Sequence, residues 1–402
     1  MSGDYNCVFL YLQYKFTLMY IRRKIEEEVL SMAEAYPVVT ITGPRQSGKT
    51  TLSKHLFPDL PYYSFENPDI RLMAETDPRS FLHSVSAGAV LDEIQNVPFI
   101  ISYLQQIVDE QKTKKTFILT GSNNFSLINH VSQSLAGRTA ILKLLPFSLQ
   151  EVNFSLKRST DEIMLKGFYP GVFQSKLSSA KIYRNYYETY LERDLRQLIQ
   201  VKDLSLFQKF IRICAGRIGN LFNASAIASE VGVSVKTVQA WISVLEASFV
   251  VFRLPPYFEN INRRLIKAPK LYFYDVGLAA YLLGIEEITQ LERDPLRGSL
   301  FENMLVMEFL KNRFNKGLDS NIYFYRDSHH SEVDLISKSA NHLETYEIKS
   351  AQTFHPDFLK NLFKLKKLFG NKLRKMTLIY DGELQSHVKG VDVLNFRNIN
   401  SV

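Results

Sequence analysis

The chain has 402 residues, of which 46% are hydrophobic and 22% charged; this exceeds one typical core, points to two or three domains, and excludes a long disordered protein. Its formal net charge of +8 permits a polyanionic partner without demanding one. The two cysteines, Cys7 and Cys214, stand far apart without ligand-like spacing, which excludes a disulfide framework and a cysteine zinc site and predicts a reducing, cytoplasmic setting.

Residues 1–20 read as an N-terminal extension. Their apolar run Val8–Leu12 is too short to span a bilayer and is interrupted by Gln13 and Lys15, so neither a signal peptide nor a membrane anchor is expected. Met19 is an alternative initiator. A helix is predicted from Ile21 to Ala35, with basic residues at Arg22, Arg23 and Lys24 followed by Glu26, Glu27 and Glu28.

The run Val38-Val39-Thr40-Ile41-Thr42 reads as a buried strand, and Gly43-Pro44-Arg45-Gln46-Ser47-Gly48-Lys49-Thr50 follows it in the pattern G-x-x-x-x-G-K-[ST]. Glycines at these positions let backbone N–H groups turn inward around a phosphate. Lys49 then reaches the β- and γ-oxygens, and the Thr50 hydroxyl ligates Mg²⁺. A helix opening at Lys49, with Thr51 in its first turn, adds its positive end to the same anion. These residues predict a bound nucleoside triphosphate. An Asn-Lys-x-Asp guanine reader is lacking, since Asn315-Lys316-Gly317-Leu318-Asp319 has the wrong spacing, and ATP is the expected ligand.

Ala89-Val90-Leu91 runs into Asp92-Glu93, where Asp92 is placed to hold the metal and Glu93 to polarise the attacking water. Acidic residues also cap strand ends. A third strand, Thr116–Thr120, leads into Gly121-Ser122-Asn123-Asn124, which makes Ser122 or Asn123 the candidate polar group beside the γ-phosphate; a plain turn accounts for the same residues. Arg138, in Leu135-Ala136-Gly137-Arg138, is a candidate finger acting within the chain or from a neighbouring subunit of an oligomer, with a surface salt bridge as the alternative.

Strands alternating with helices over residues 21–150 predict a parallel α/β sheet of the P-loop NTPase type, bounded by Pro146. Residues 151–215 read as a helical connector or lid. In it, the tyrosines and leucines of Tyr183–Leu195 recur at helical spacing, favouring a packed amphipathic helix. Residues 216–256 carry a helix-turn-helix layout, with Ala228 at the crossing, Gly232 at the turn, Ser234 as a cap and a wing strand within Phe249–Leu254. Exposed Lys236, Thr237, Gln239 and Ser243 are candidate DNA contacts. A winged helix used only for packing or protein contact is an equal alternative.

Residues 257–402 read as a connector and a final α/β domain. Glu302 lies on a predicted helix over Leu300–Lys311, Ile322–Arg326 and Glu332–Ile336 form a hairpin, and Thr345–Lys349 is another strand. Asp334 followed by Glu347-x-Lys349 is the layout of a PD-(D/E)xK nuclease-like core, in which carboxylates hold Mg²⁺ and the lysine orients water. Strand-edge charges pointing outward are the bland reading. The basic run from Lys360 to Lys375 follows nucleic acid or solvates a helix face.

Taken in order, the P-loop, Leu91–Gln95, Thr120–Asn123, Leu135–Arg138, Tyr190–Leu195, Glu332–Asp334 and Glu347–Lys349 resemble the prokaryotic AAA-type ATP-binding proteins with a C-terminal domain of unknown function 4143. The resemblance covers about Ile21 to Asp381. It implies an AAA-like ATPase domain, a winged helix and a restriction-endonuclease-like C-terminal domain. The expected activity is Mg-dependent ATP hydrolysis coupled to a DNA-directed half. The alternative is a nucleotide-dependent interaction switch with an inactive nuclease-like domain.

Overall fold

The computed structural model describes residues 20–110, 116–122, 131, 133–153, 158–191, 203–258, 267–328 and 331–401. The proposed extension before Tyr20 and the alternative start at Met19 lie outside the described residues.

In the first unit α1 (Glu26–Ala35) precedes β1 (Val38–Gly43), α2 (Lys49–Leu56), β2 (Tyr62–Ser64), α3 (Pro68–Thr76), α4 (Pro78–Ser84), β3 (Ala89–Asp92), α5 (Ile100–Glu110), β4 (Phe117–Ser122) and β5 (Thr139–Lys143). The five strands form one sheet in the order β2-β3-β4-β1-β5, with every pairing parallel. Parallel strands are covered on both faces and so tolerate unbroken β-branched runs such as Val38–Thr42. Val39 and Ile41 face α1 and α2 through Ile25, Val29 and Leu52. On the other face Val38 joins Leu91, Phe117 and Leu119 against Phe81 and Leu104. Each such fully buried side chain stabilises by roughly 1.5–3 kcal/mol before entropy is set against it. Caps punctuate the helices: Asn67 and Asp77 accept from Asp69 and Ser80 backbone N–H groups, each followed by proline at the first helical position.

The predicted helix over Ile21–Ala35 begins only at Glu26. Arg23 is drawn inward, its guanidinium donating to Ser47 O at 2.8 Å, Leu145 O at 2.6 Å and Glu151 Oε1 at 3.1 Å. Lys24 N also donates to Glu151 Oε1, at 2.7 Å. These bonds hold the segment in a turn that a helix would break.

Next come α6 (Leu149–Val152), α7 (Thr160–Lys166), α8 (Pro170–Gln174), α9 (Ser179–Tyr186) extended by a π-helical turn over Tyr187–Leu191, α10 (Leu204–Ala215), α11 (Ala224–Val231), α12 (Val235–Ala247), β6 (Val251–Leu254), β7 (Lys270–Phe273), α13 (Val276–Leu282) and α14 (Ile288–Arg293). Tyr183, Tyr186, Tyr187 and Tyr190 are all buried, so the aromatic face packs inward. Gly232, at φ +90, turns α11 into α12, and Ser234 Oγ caps α12 by accepting from Thr237 N. Leu195, like the rest of residues 192–200, lies outside the described residues.

A boundary at residue 256 does not hold. β6 pairs antiparallel with β7, Val251 opposite Phe273, so the two-stranded sheet after α12 spans that position. Both strands also share one apolar core with α9, α12, α13 and the next helix. The sequence missed this because the strands are four residues each and some fifteen residues apart.

The last unit runs α15 (Arg297–Phe314), β8 (Ile322–Arg326), β9 (Glu332–Ser339), β10 (His342–Lys349), α16 (Lys360–Phe369), β11 (Leu373–Tyr380), β12 (Ser386–Val388) and β13 (Val391–Asn395). Its mixed sheet has the order β12-β13-β11-β10-β9-β8; β10, β11 and β13 run parallel. Phe301 of α15 belongs to the core that takes Leu335, Tyr346 and Ile379 from this sheet, and Leu362 and Leu365 of α16 pack with Val333, Ile336 and Leu378. Much of the basic run is engaged structurally: Lys366 donates to Gly370 O and Leu373 O, and Lys364 to Ser331 Oγ.

Candidate functional site

The loop after β1 turns on two glycines. Gly43 sits at φ +152, where an added Cβ would lie 2.1 Å from Leu144 O, and Gly48 at φ +94 precedes α2. No side chain fits the first position, and the second favours glycine. Pro44 and Ser47 are buried and Gln46 is exposed at φ +59. Ser47 Oγ is buried with no hydrogen-bond partner. Arg45 reaches Glu66 at 3.6 Å and lies over the Tyr190 ring at 5.2 Å. Lys49 folds back on the loop, its Nζ donating to Gly43 O at 3.1 Å and Pro44 O at 2.8 Å. Burial lowers its pKa to about 8 against the pull of Glu93 and Asp92. Such an ammonium, held only by carbonyls, is poised for a stronger anion. Thr51 is exposed on the next turn position.

Strand pairing carries the acidic pair to this loop. β3 lies next to β4, and β4 next to β1, so the C-terminal ends of the three strands converge. Thr50 Oγ1 donates to Asp92 Oδ2 at 3.0 Å. Asp92 also accepts from Tyr62 OH at 2.6 Å and from Thr120 Oγ1. A hydroxyl beside a carboxylate, both at the glycine loop, is a donor set that suits Mg²⁺. Among the described residues no group of three or more His, Cys, Asp or Glu is arranged to hold a metal. A metal at Thr50 and Asp92 would therefore take its remaining ligands from water and phosphate.

Glu93 follows in a left-handed backbone conformation, φ +54, which costs a non-glycine residue roughly 1–2 kcal/mol and turns the side chain away from the strand direction. Its Oε2 accepts from Gln95 Nε2 and Ser122 Oγ, the latter at 3.4 Å, while Gln95 Nε2 also donates to Ser122 Oγ at 3.1 Å. Ser122 is thus beside the second carboxylate. Asn123 lies outside the described residues.

Arg138 is not brought to this site. Its carbonyl accepts from Val38 N at the start of β1, whereas the loop leaves the far end of that strand at Gly43. Five residues of strand separate the two ends by about 17 Å. The guanidinium pairs with Asp109 on α5, which corrects the reading of Arg138 as a finger within the same chain.

A second cluster forms in the last unit. Lys349 Nζ lies 2.7 Å from Glu347 Oε1 and 3.4 Å from Asp334 Oδ2, and Ile348 N donates to Asp334 Oδ2 at 2.8 Å. Glu302 faces them from α15, accepting from Tyr272 OH at 2.5 Å and paired with Lys270 at 3.0 Å. Burial and then Asp334 raise the Glu347 pKa to about 8. Glu302 is raised by burial, against the opposing pull of Lys270.

Several contributing side chains were absent from the sequence reading. Tyr62 sits on a strand of three residues, too short for a periodic signal. Lys270 and Tyr272 come from β7, whose partner strand β6 lies across the boundary predicted at residue 256. Arg23 gave no signal beyond membership of a charged segment.

Residues 35–153 match the family described as an AAA domain, residues 157–289 the domain of unknown function DUF8612, and residues 297–399 the domain of unknown function DUF4143. The uncharacterized proteins Mb2031c of Mycobacterium bovis and Rv2008c of Mycobacterium tuberculosis are each 32% identical over 353 residues, covering 86% of this chain and 77% of each relative. Among solved structures, similarity is found to the Walker-type ATPase PABY2304 of Pyrococcus abyssi, with TM-score 0.41 and 15% identity, covering 65% of this chain and 96% of that one. A signal transduction ATPase with numerous domains, PH0952 of Pyrococcus horikoshii, carries a tetratricopeptide repeat sensor; it is similar with TM-score 0.23 and 13% identity, over 76% of this chain and 49% of that one.

Proposed function

This chain belongs to the family of the two mycobacterial proteins, joining a nucleotide-binding AAA ATPase domain to a C-terminal DUF4143 domain, and on that footing we propose that it is a Mg-dependent ATP hydrolase. The observation that carries the reading is the 3.0 Å bond from Thr50 to Asp92, which joins the glycine loop to the acidic strand end. In this reading the loop amides and Lys49 hold the phosphates. Thr50 and Asp92 would hold Mg²⁺, which would supply positive charge beside the phosphates. Glu93 orients the attacking water and Ser122 adjusts Glu93 through Gln95. Purified chain should hydrolyse ATP, and Glu93→Gln should keep ATP bound while slowing turnover by about tenfold or more, a barrier increase of about 1.4 kcal/mol. Unchanged turnover would move the base elsewhere.

The C-terminal half is read as a PD-(D/E)xK nuclease-like unit preceded by a winged helix. Supporting this are the order helix, three antiparallel strands, helix, parallel strand, and the meeting of Glu302, Asp334, Glu347 and Lys349 at one sheet end. Supporting a DNA-directed role are the helix-turn-helix layout and the exposed Lys236 and Gln239 in the first turns of α12. The lysine-bridged carboxylates favour a binding role over nuclease activity. Reversing charge at Lys236 should weaken duplex binding and lower its salt slope by about 1; no binding by the native chain at low salt would leave the protein-interaction role.

A further inference from the structure

Four carboxylates, Glu302, Glu332, Asp334 and Glu347, meet around two buried or half-buried lysines in the last unit. The lysines divide them. Lys349 bridges Asp334 and Glu347, whereas Lys270 bridges Glu302 at 3.0 Å and Glu332 at 2.5 Å. Lys270 is only 2% exposed. It does not belong to the sheet that carries the other groups: it opens β7, is pinned by pairing with Leu254 and Leu221, and rests on the Phe324 ring at 5.6 Å. It also lies within the segment matching DUF8612, while the four carboxylates lie within the segment matching DUF4143.

We propose that Lys270 is a resident cation of this cluster, supplied by the neighbouring unit in place of a divalent metal, so that the carboxylates accept Mn²⁺ or Mg²⁺ only when Lys270 is removed or withdrawn. The inference is independent of nucleotide binding at the loop after β1.

Three observations carry it. The inward oxygens Glu302 Oε1 and Glu332 Oε1 already accept from the Lys270 ammonium, and a divalent ion needs the same lone pairs. Charge leaves little room for a divalent ion as well: with Arg326 on Glu332 at 3.3 Å, three cations already meet the four acidic side chains. A further divalent charge would leave an excess of positive charge in a desolvated site. Third, Glu347 Oε2 is buried without a hydrogen-bond partner. No protein donor competes for that oxygen, so a metal that displaces the Glu347 proton takes it once the ammonium is gone.

The test uses the full chain without nucleotide, titrated with Mn²⁺ and read by electron paramagnetic resonance. The native chain should show no site at this cluster, whereas Lys270→Met should gain one, with affinity at least about tenfold above the native chain. Adding Glu302→Gln to Lys270→Met should remove that site, and Lys270→Arg, which keeps the cation, should resemble the native chain. If Lys270→Met is poorly folded, its melting temperature should rise with millimolar Mn²⁺ while that of Lys270→Arg does not. A native site lost in Glu302→Gln, or a Lys270→Met chain that neither binds Mn²⁺ nor is stabilised by it, would overturn the proposal.

Discussion

Tyr62 OH stands 2.6 Å from Asp92 Oδ2, on the carboxylate that Thr50 and Thr120 also approach. Three hydroxyls from α2, β2 and β4 fix its rotamer, and the Lys54 ammonium lies 3.6 Å over the Tyr62 ring. Tyr62→Phe removes one of the three while keeping the ring. Metal-free ATP affinity should stay within about twofold, whereas the Mg²⁺ concentration for half-maximal turnover should rise about tenfold or more, since one lost bond to a charged group is worth about 1.5–3 kcal/mol. An unchanged Mg²⁺ requirement would remove Tyr62 from this role.

Arg23 couples the loop to the start of the connector, because one guanidinium serves Ser47 O, Leu145 O and Glu151. Its removal takes the cation from Glu151, whose side chain is 1% exposed and then keeps only the Lys24 and Ser148 backbone donors. Arg23→Ala should therefore cost about 3 kcal/mol or more in urea unfolding and weaken ATP binding. A loss below about 1 kcal/mol would mean that the pocket relaxes around Glu151.

Stability should depend on pH through Glu347. Burial and the adjoining Asp334 raise its pKa from 4.5 to about 8, so between those values the folded chain keeps a proton that the unfolded chain has released. The contribution is fully present below the lower value and is lost as pH rises through the upper one, with a slope up to about 1.4 kcal/mol per pH unit. Glu347→Gln should flatten that decline. Equal pH profiles for the two chains would contradict the assignment.

The P-loop was legible because its residues are contiguous and their backbone demands are local, as Gly43 and Gly48 show. Asp92 and Glu93 were legible because they end an apolar run, and Asp334, Glu347 and Lys349 because strand spacing places them at one sheet end, which Glu302 reaches from α15. Groups supplied from another element were not legible. Tyr62 comes from a three-residue strand and Lys270 from a strand whose partner was assigned elsewhere; neither leaves a periodic pattern around it. Arg138 misled for the same reason, since its sequence neighbourhood cannot say which end of β5 it occupies.

Arg138→Ala breaks an exposed pair with Asp109, so dilute chain should keep its ATP turnover within about twofold, exposed pairs being worth about 0–1 kcal/mol. A large loss that appears only at high protein concentration would place Arg138 at the site of a neighbouring subunit.

The Lys49 ammonium is buried and held by two loop carbonyls, and in the proposed function it meets the phosphates. Calorimetric titration of Mg-ATP into the native chain and into Lys49→Ala tests it most directly. Saturable one-to-one binding is expected of the native chain and a loss of about a hundredfold or more of the variant, about 2.7 kcal/mol, with circular dichroism unchanged. Equal affinity in the two chains, or no binding by the native one, would contradict it.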